Sequence, residues 1–240
     1  MDVPSTVTAA LADRPVAGAV CLEAGAGLGN ATAGLLVADA RRVYAVTNDP
    51  EHAAAVRERV DDDASTADRT AVLDADVRAL PLADDSIDVV TAHGLCNLIA
   101  PAVLDPVAAE LTRVAAPGCH LVIDDYEPIP EARVRELFAL ENAATELATC
   151  SPALTFYPAD VLRRLFVGSG WRFDRELTLL DPVPWTASHL AAHARATREA
   201  AERLPSELGD PLIAEADRLV EAIGEESAGT MYSLAFRLPG

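Results

Sequence analysis

The sequence has no lysine and no glutamine, so each of its 19 basic side chains is an arginine. Against them stand 38 Asp and Glu, a formal net charge of -19. That balance opposes binding to a phosphate backbone, so no nucleic-acid partner is expected. The acids run along the whole chain rather than in blocks. They read as a solvated acidic surface of the kind that keeps halophilic proteins soluble in concentrated salt, with a face for a cationic partner as the other reading. Cysteine is scarce: Cys21, Cys96, Cys119 and Cys150 lie far apart and form no CxxC pair. Three of them sit in or beside apolar runs, where free cysteine behaves as a small hydrophobe of a reduced, cytoplasmic protein. No apolar run reaches the roughly 18 residues of a membrane span, and no basic-then-apolar leader opens the chain. Neither a membrane location nor secretion is expected.

A regular alternation is present instead. Half of the 240 residues are hydrophobic, enough for one well-buried domain over 1–240. Short apolar runs alternate with stretches of helical spacing, which argues for a parallel sheet with helices on both faces. AVCLEA (19–24), RVYAVTN (42–48), TAVLDAD (70–76), SIDVVTAHG (86–94) and CHLVIDD (119–125) read as strands. ATAGLLVADA (31–40), PEHAAAVRERV (50–60) and LDPVAAELTRVAAPG (104–118) read as helices, the last closed by Pro117 and Gly118. The charged DDDASTADR (61–69) reads as an exposed loop. Later the pattern changes. PEARVRELFALENAATELA (130–148) and PADVLRRLFVGSG (158–170) are amphipathic helices. WRFDRELTLL (171–180) and TMYSLAFRL (230–238) alternate like strands with one more exposed face. Helical insertions at about 129–150 and 186–227 are expected to form a lid.

The first strand runs into VCLEAGAGLGNAT (20–32), with glycines at 25, 27 and 29. Glycine accepts positive φ and lets a ligand approach the backbone, and the following helix offers free N–H groups. The spacing is G-x-G-x-G, not the G-x-G-x-x-G of dinucleotide folds. Glu23, just before the loop, would repel a pyrophosphate yet accept a bond from a cationic amino group or a water beside one. The loop therefore suits a positively charged ligand without phosphate.

These residues resemble the first motif of the class I S-adenosylmethionine-dependent methyltransferases, [DE]-x-G-x-G-x-G, matched by Glu23, Gly25, Gly27 and Gly29. DADVRALPLADDSIDVV (74–90) is similar to that family's segment between the third and fourth strands, and LTRVAAPGCHLVIDD (111–125) to its turn before the fifth, with Cys119 replacing a glycine. The resemblance implies a doubly wound, mostly parallel seven-stranded α/β sheet with helices on both faces and an antiparallel C-terminal strand. It implies S-adenosyl-L-methionine as cofactor, with the glycine loop at its methionine end and Asp76, followed by Val77, at the adenine. The family's ribose-binding acid at the end of the second strand falls on Thr47 here. Asn48 or Asp49 is the substitute, although Asp49-Pro50 also has the form of a helix start.

Methyl transfer needs alignment, desolvation and, for some acceptors, a base. His93, at the end of the fourth strand, is the candidate base or a packing neighbour of the cofactor. Asp124, Asp125, Tyr126 and Glu127 close the fifth strand, as a binding site for a cationic substrate, a base, or a solvated strand end. No metal is expected: Ala92-His93 stands where metal-dependent O-methyltransferases carry an aspartate, and HLAAH (His189, His193) has leucine in place of the glutamate of a zinc-peptidase helix. Phe156, Tyr157 and Trp185 are candidate pocket walls, under a lid from the helix near Phe138 and the later insertion, which is equally a candidate homodimer surface. The expected protein is a methyltransferase acting on a small molecule. The alternatives are a non-catalytic cofactor-binding or interaction protein, favoured by Thr47, and an NAD(P)-dependent oxidoreductase, opposed by the glycine spacing.

Overall fold

Five apolar runs of the first half pair side by side. The computed structural model of the protein describes residues 1–61 and 64–240. In it β1 (Val20–Ala24), β2 (Arg42–Thr47), β3 (Thr70–Asp74), β4 (Ile87–His93) and β5 (Ala115–Tyr126) are mutually parallel. β6 (Arg172–Leu180) and the C-terminal β9 (Met231–Arg237) complete a seven-stranded sheet in the order β3-β2-β1-β4-β5-β9-β6. β9 is antiparallel to both of its neighbours. The chain winds outward from β1 in one direction and from β4 in the other, so a crevice opens where their C-terminal ends diverge.

Helices cover both faces. α1 (Ser5–Leu11), α2 (Asn30–Val37), α3 (Pro50–Asp61) and the short α4 (Ala64–Ala67) precede α5 (Leu104–Val114) and α7 (Ala159–Gly168). One core joins Val7, Leu11, Leu35 and Val56 to Val43, Val89 and Val122. The other sets Leu111 and Phe166 on Leu22, Val90, Leu121 and Phe236, with Trp171 buried among them. Each such side chain contributes roughly 1.5–3 kcal/mol by leaving water. A third cluster stands beyond the strand ends, where α6 (Val134–Thr149), α8 (Ala187–Ala201) and α9 (Ser206–Ile223) gather Leu137, Phe138, Trp185, Leu190 and Leu219. A two-stranded ribbon, β7 (Pro184–Trp185) with β8 (Glu226–Ser227), ties the ends of that helical unit together.

The structure departs from the sequence expectations in four places. Pro117 and Gly118 do not close a helix; β5 already starts at Ala115, and the register jumps from Ile87↔Ala115 to Val89↔His120 around them. The stretch 61–69 holds α4, with residues 62 and 63 outside the described residues, and Thr66 is buried with its hydroxyl donating to the Val60 carbonyl at 2.7 Å. α6 begins only at Val134, four residues after Pro130. β9 has no exposed face: lying between β5 and β6, it buries six of its seven residues, Ser233 included.

Candidate active site

The C-terminal ends of β1 to β4 open into one cleft of about 610 Å³. Gly25 and Gly27 form one lip, Thr47, Asn48, Asp49 and His52 the next, and Asp76, Val77 and Arg78 the third; His93, Gly94 and the apolar Leu95, Ile99 and Val103 line the rest. Gly25 has φ +74°, and a Cβ there would lie 2.6 Å from Cδ1 of Leu95, so both conformation and space demand glycine. Gly29 lies outside the cleft, as the N-cap of α2 against Val56 and Arg59.

Glu23 turns away from the cleft, which corrects its expected role as a ligand contact. It is 1% exposed, and its carboxylate accepts the N–H groups of Ala31 at 3.1 Å and Thr32 at 2.8 Å together with the Thr32 hydroxyl. It fastens the N-terminus of α2 beneath the glycine loop, where the helix presents unpaired donors. Burial pushes its carboxyl up to about 7, against the Thr32 bonds and the charge of His93, which pull it down.

At the second lip the Thr47 hydroxyl accepts the Asp49 N–H at 3.1 Å. Asp49 caps α3: its Oδ1 accepts from Glu51 N at 2.8 Å and His52 N at 3.2 Å. The other oxygen faces His52 Nδ1 at 3.8 Å, and the exposed Asn48 shares the rim. At the third lip Asp76 is gripped by its own neighbour, Arg78, which donates from its backbone and side chain.

His93 is held from behind by Asp124, with Nδ1 3.0 Å from Oδ2. Burial alone would lower its pKa, but the Asp124 hydrogen bond and the charges of Asp124, Glu23 and Asp125 raise it overall. Asp125, expected at the substrate, lies in neither cavity. It is fully buried, with its oxygens on the N–H groups of Asn97 (3.0 Å) and Tyr126 (2.8 Å), and burial pushes its carboxyl up to about 7 despite those bonds. Its task is to hold the turn after β4. Tyr157 is likewise core: buried, it donates its hydroxyl to the Ile99 carbonyl at 2.7 Å and accepts Tyr232 on its own carbonyl.

A second cavity, of about 290 Å³, shares Gly94 with the cleft in its lining. Its walls include Tyr126, Phe156 and Trp185. Asn97, His189 and His193 join them. His193 Nδ1 lies 2.7 Å from Oε2 of the buried Glu141 on α6, and its ring stacks edge-on against Phe138 with centroids 4.6 Å apart. Asn97 and Glu141 escaped the sequence reading because neither lies in a motif. The HLAAH spacing did signal that His189 and His193 share a helix face, but read as a metal pattern it led nowhere. Among the described residues no group of three His, Cys, Asp or Glu is placed to hold a metal ion, and no helix is long and apolar enough to cross a membrane.

In an open α/β sheet, a glycine-lipped cleft at the switch point, outside the carboxyl ends of the strands, is where ligands bind. Residues 22–123 match the family model described as a methyltransferase domain. Similar solved structures include a proposed methyltransferase from Bacillus halodurans, at 13% identity and TM-score 0.66 over 99% of this chain and 100% of that one. A proposed sarcosine dimethylglycine methyltransferase from Galdieria sulphuraria has 17% identity and TM-score 0.60 over 97% and 84%. The geranyl diphosphate C-methyltransferase of Streptomyces coelicolor, solved with Mg2+, geranyl diphosphate and S-adenosyl-L-homocysteine, has 13% identity and TM-score 0.62 over 97% and 76%. No curated protein matches the chain by sequence. The chain thus has the fold of the class I S-adenosylmethionine-dependent methyltransferases, and its residues 22–123 are similar to their methyltransferase domain.

Proposed function

We propose that this protein transfers the methyl group of S-adenosyl-L-methionine to a small-molecule acceptor. The carrying observation is that two cavities adjoin Gly94, next to His93: one holds the glycine lip, Asn48, Asp49, Asp76 and Val77, the other the aromatic wall. The cleft suits the cofactor in size and chemistry. Gly27 faces open space, Leu95, Ile99 and Val103 supply an apolar wall beside Val77, and Asp76 stands at the rim to accept an amino group. Asn48 and the outer oxygen of Asp49 are the groups placed to meet ribose hydroxyls in place of the acid that Thr47 replaces. When bound, the cofactor supplies an electrophilic methyl group on a sulfonium.

The chain's own part is to align and dry the reactants. Gly94, at positive φ, turns the chain between the two cavities without a side chain in either. His93, its Nδ1 hydrogen held by Asp124, is poised to take a proton from an acceptor. The helical unit α6, α8 and α9 covers the acceptor side as a lid of the single domain.

Calorimetric titration of the native protein with S-adenosylmethionine and S-adenosylhomocysteine tests this. Saturable binding that Gly25→Val abolishes is expected, because the new side chain would strike Leu95. No binding by demonstrably folded protein would overturn the reading.

A further inference from the structure

We infer that the second cavity is an acceptor site for a small amine, bound through its ammonium or N–H groups; this rests on the methyltransferase reading above. The cavity combines three aromatic rings with the aliphatic Leu180 and Val183 and a few polar side chains, Asn97, His189 and His193. Of the chain's five Phe, four Tyr and two Trp, Tyr126, Phe156 and Trp185 line it, and Phe138 backs them. Tyr126 lies 5.4 Å from Trp185 and 6.4 Å from Phe156, centroid to centroid. The Trp185 indole N–H is tied to the Ala228 carbonyl at 2.9 Å, so the ring offers the cavity no free donor. Ring faces of this kind attract a cation.

Asn97 adds the polar anchor. The residue is 9% exposed and lines the cavity, and its side-chain oxygen is buried with no hydrogen-bond partner. Its backbone is already fixed, with N–H on Asp125 and carbonyl on Thr155 N. An unpaired buried acceptor costs folding free energy, and a ligand N–H would satisfy it. Carboxylates deepen the negative surroundings. Glu141 stands behind His193, and Asp124 Oδ1, behind His93, is also buried and unpartnered.

What the lining does not carry is equally specific. Among the described residues, no arginine lines this cavity, and the chain has no lysine to supply one. A carboxylate, phosphate or diphosphate would find only His189 and His193 there, the latter with Glu141 behind it, and not the guanidinium that such anions call for. A neutral alcohol could bond to Asn97 but would forgo the attraction of the rings.

The test is calorimetry of the native protein, with and without S-adenosylhomocysteine, using three probes of one shape: phenethylamine, phenethyl alcohol and phenylacetate. The amine is expected to bind at least roughly tenfold more tightly than the alcohol, and phenylacetate not at all. Asn97→Leu removes the unpartnered oxygen, so it should weaken the amine roughly tenfold while leaving the unfolding temperature unchanged or higher. If that variant fails to fold, Trp185→Phe takes its place and should also weaken the amine. Equal binding of amine and alcohol, tighter binding of phenylacetate, or an unaltered amine affinity in the variant would overturn the inference. Should S-adenosylhomocysteine bind while the amine preference is absent, this proposal falls and the methyltransferase reading stands. An amine preference without any cofactor binding would overturn that reading instead.

Discussion

Arg78 lies across the carboxylate of Asp76, with Nε 2.9 Å from each oxygen, Nη2 2.5 Å from Oδ2, and its own N–H donating to Oδ1 at 2.8 Å. The arginine side chain fills the acceptor sites that an adenine amino group would use. Arg78→Ala should therefore tighten S-adenosylhomocysteine by about threefold, whereas Asp76→Ala should weaken it by about tenfold. The pair is exposed, so neither change should measurably move stability. Isothermal titration of both variants decides the matter, and a weaker Arg78→Ala would show that the guanidinium contacts the cofactor itself.

Glu23 makes the opposite prediction, a large stability effect from a residue of the binding motif. Glu23→Ala strands the N–H groups of Ala31 and Thr32 in a dry site and should cost about 2–4 kcal/mol in urea unfolding. Glu23→Gln keeps one acceptor and should cost about half as much. A near-native stability for the alanine variant would refute the clamp.

The positions of these two acids show what a sequence can convey. The doubly wound sheet with its antiparallel C-terminal strand and the glycine loop after β1 were legible, because each follows an apolar run at a fixed spacing and parallel strands place their ends together. Which way a side chain turns was not legible. Glu23 and Asp125 lie at strand ends as expected, yet both point into the protein to satisfy backbone donors that pattern does not reveal. The second cavity drew on two kinds of signal. Phe156 and Trp185 stood out because aromatics are rare and Tyr126 with the acids that close β5, but Asn97 depends on the buried Asp125 and the Glu141–His193 pair on α6 packing against α8, contacts with no local signature. The burial of β9 was hidden for a similar reason: its alternation reads as half-exposed, and only its insertion between β5 and β6 covers both faces.

The charge of -19 yields a prediction about salt. With twice as many acids as arginines, repulsion across the surface loads the folded state, and screening relieves it as the Debye length shrinks. Raising potassium chloride from about 0.1 M to about 1 M should raise the unfolding midpoint. A flat or falling midpoint would refute a salt-adapted surface.

Three buried groups fix the pH dependence once that surface repulsion is screened. Burial raises Glu23 from 4.5 to about 7 and Asp125 from 3.8 to about 7, and carboxylate neighbours outweigh burial to raise His93 above 6.5. Each binds its proton more tightly folded than unfolded, so between roughly pH 4.5 and 7 the native state holds more protons than the unfolded chain. Stability then falls as pH rises through that window, by about 3–4 kcal/mol per carboxyl at most. Below it, the arginine-bound Asp13, Asp76 and Glu110, whose pKa values are lowered, act in the opposite sense and are lost on protonation. The expected profile in about 1 M salt thus peaks on the acid side of neutrality, near pH 5. Asp125→Asn carries no titrating proton at that position, so urea unfolding of the variant should show a shallower decline between pH 5 and 7.5. An identical slope in native protein and variant would mean that Asp125 is ionised throughout, with the turn at Asn97 sheltering a charge rather than a proton.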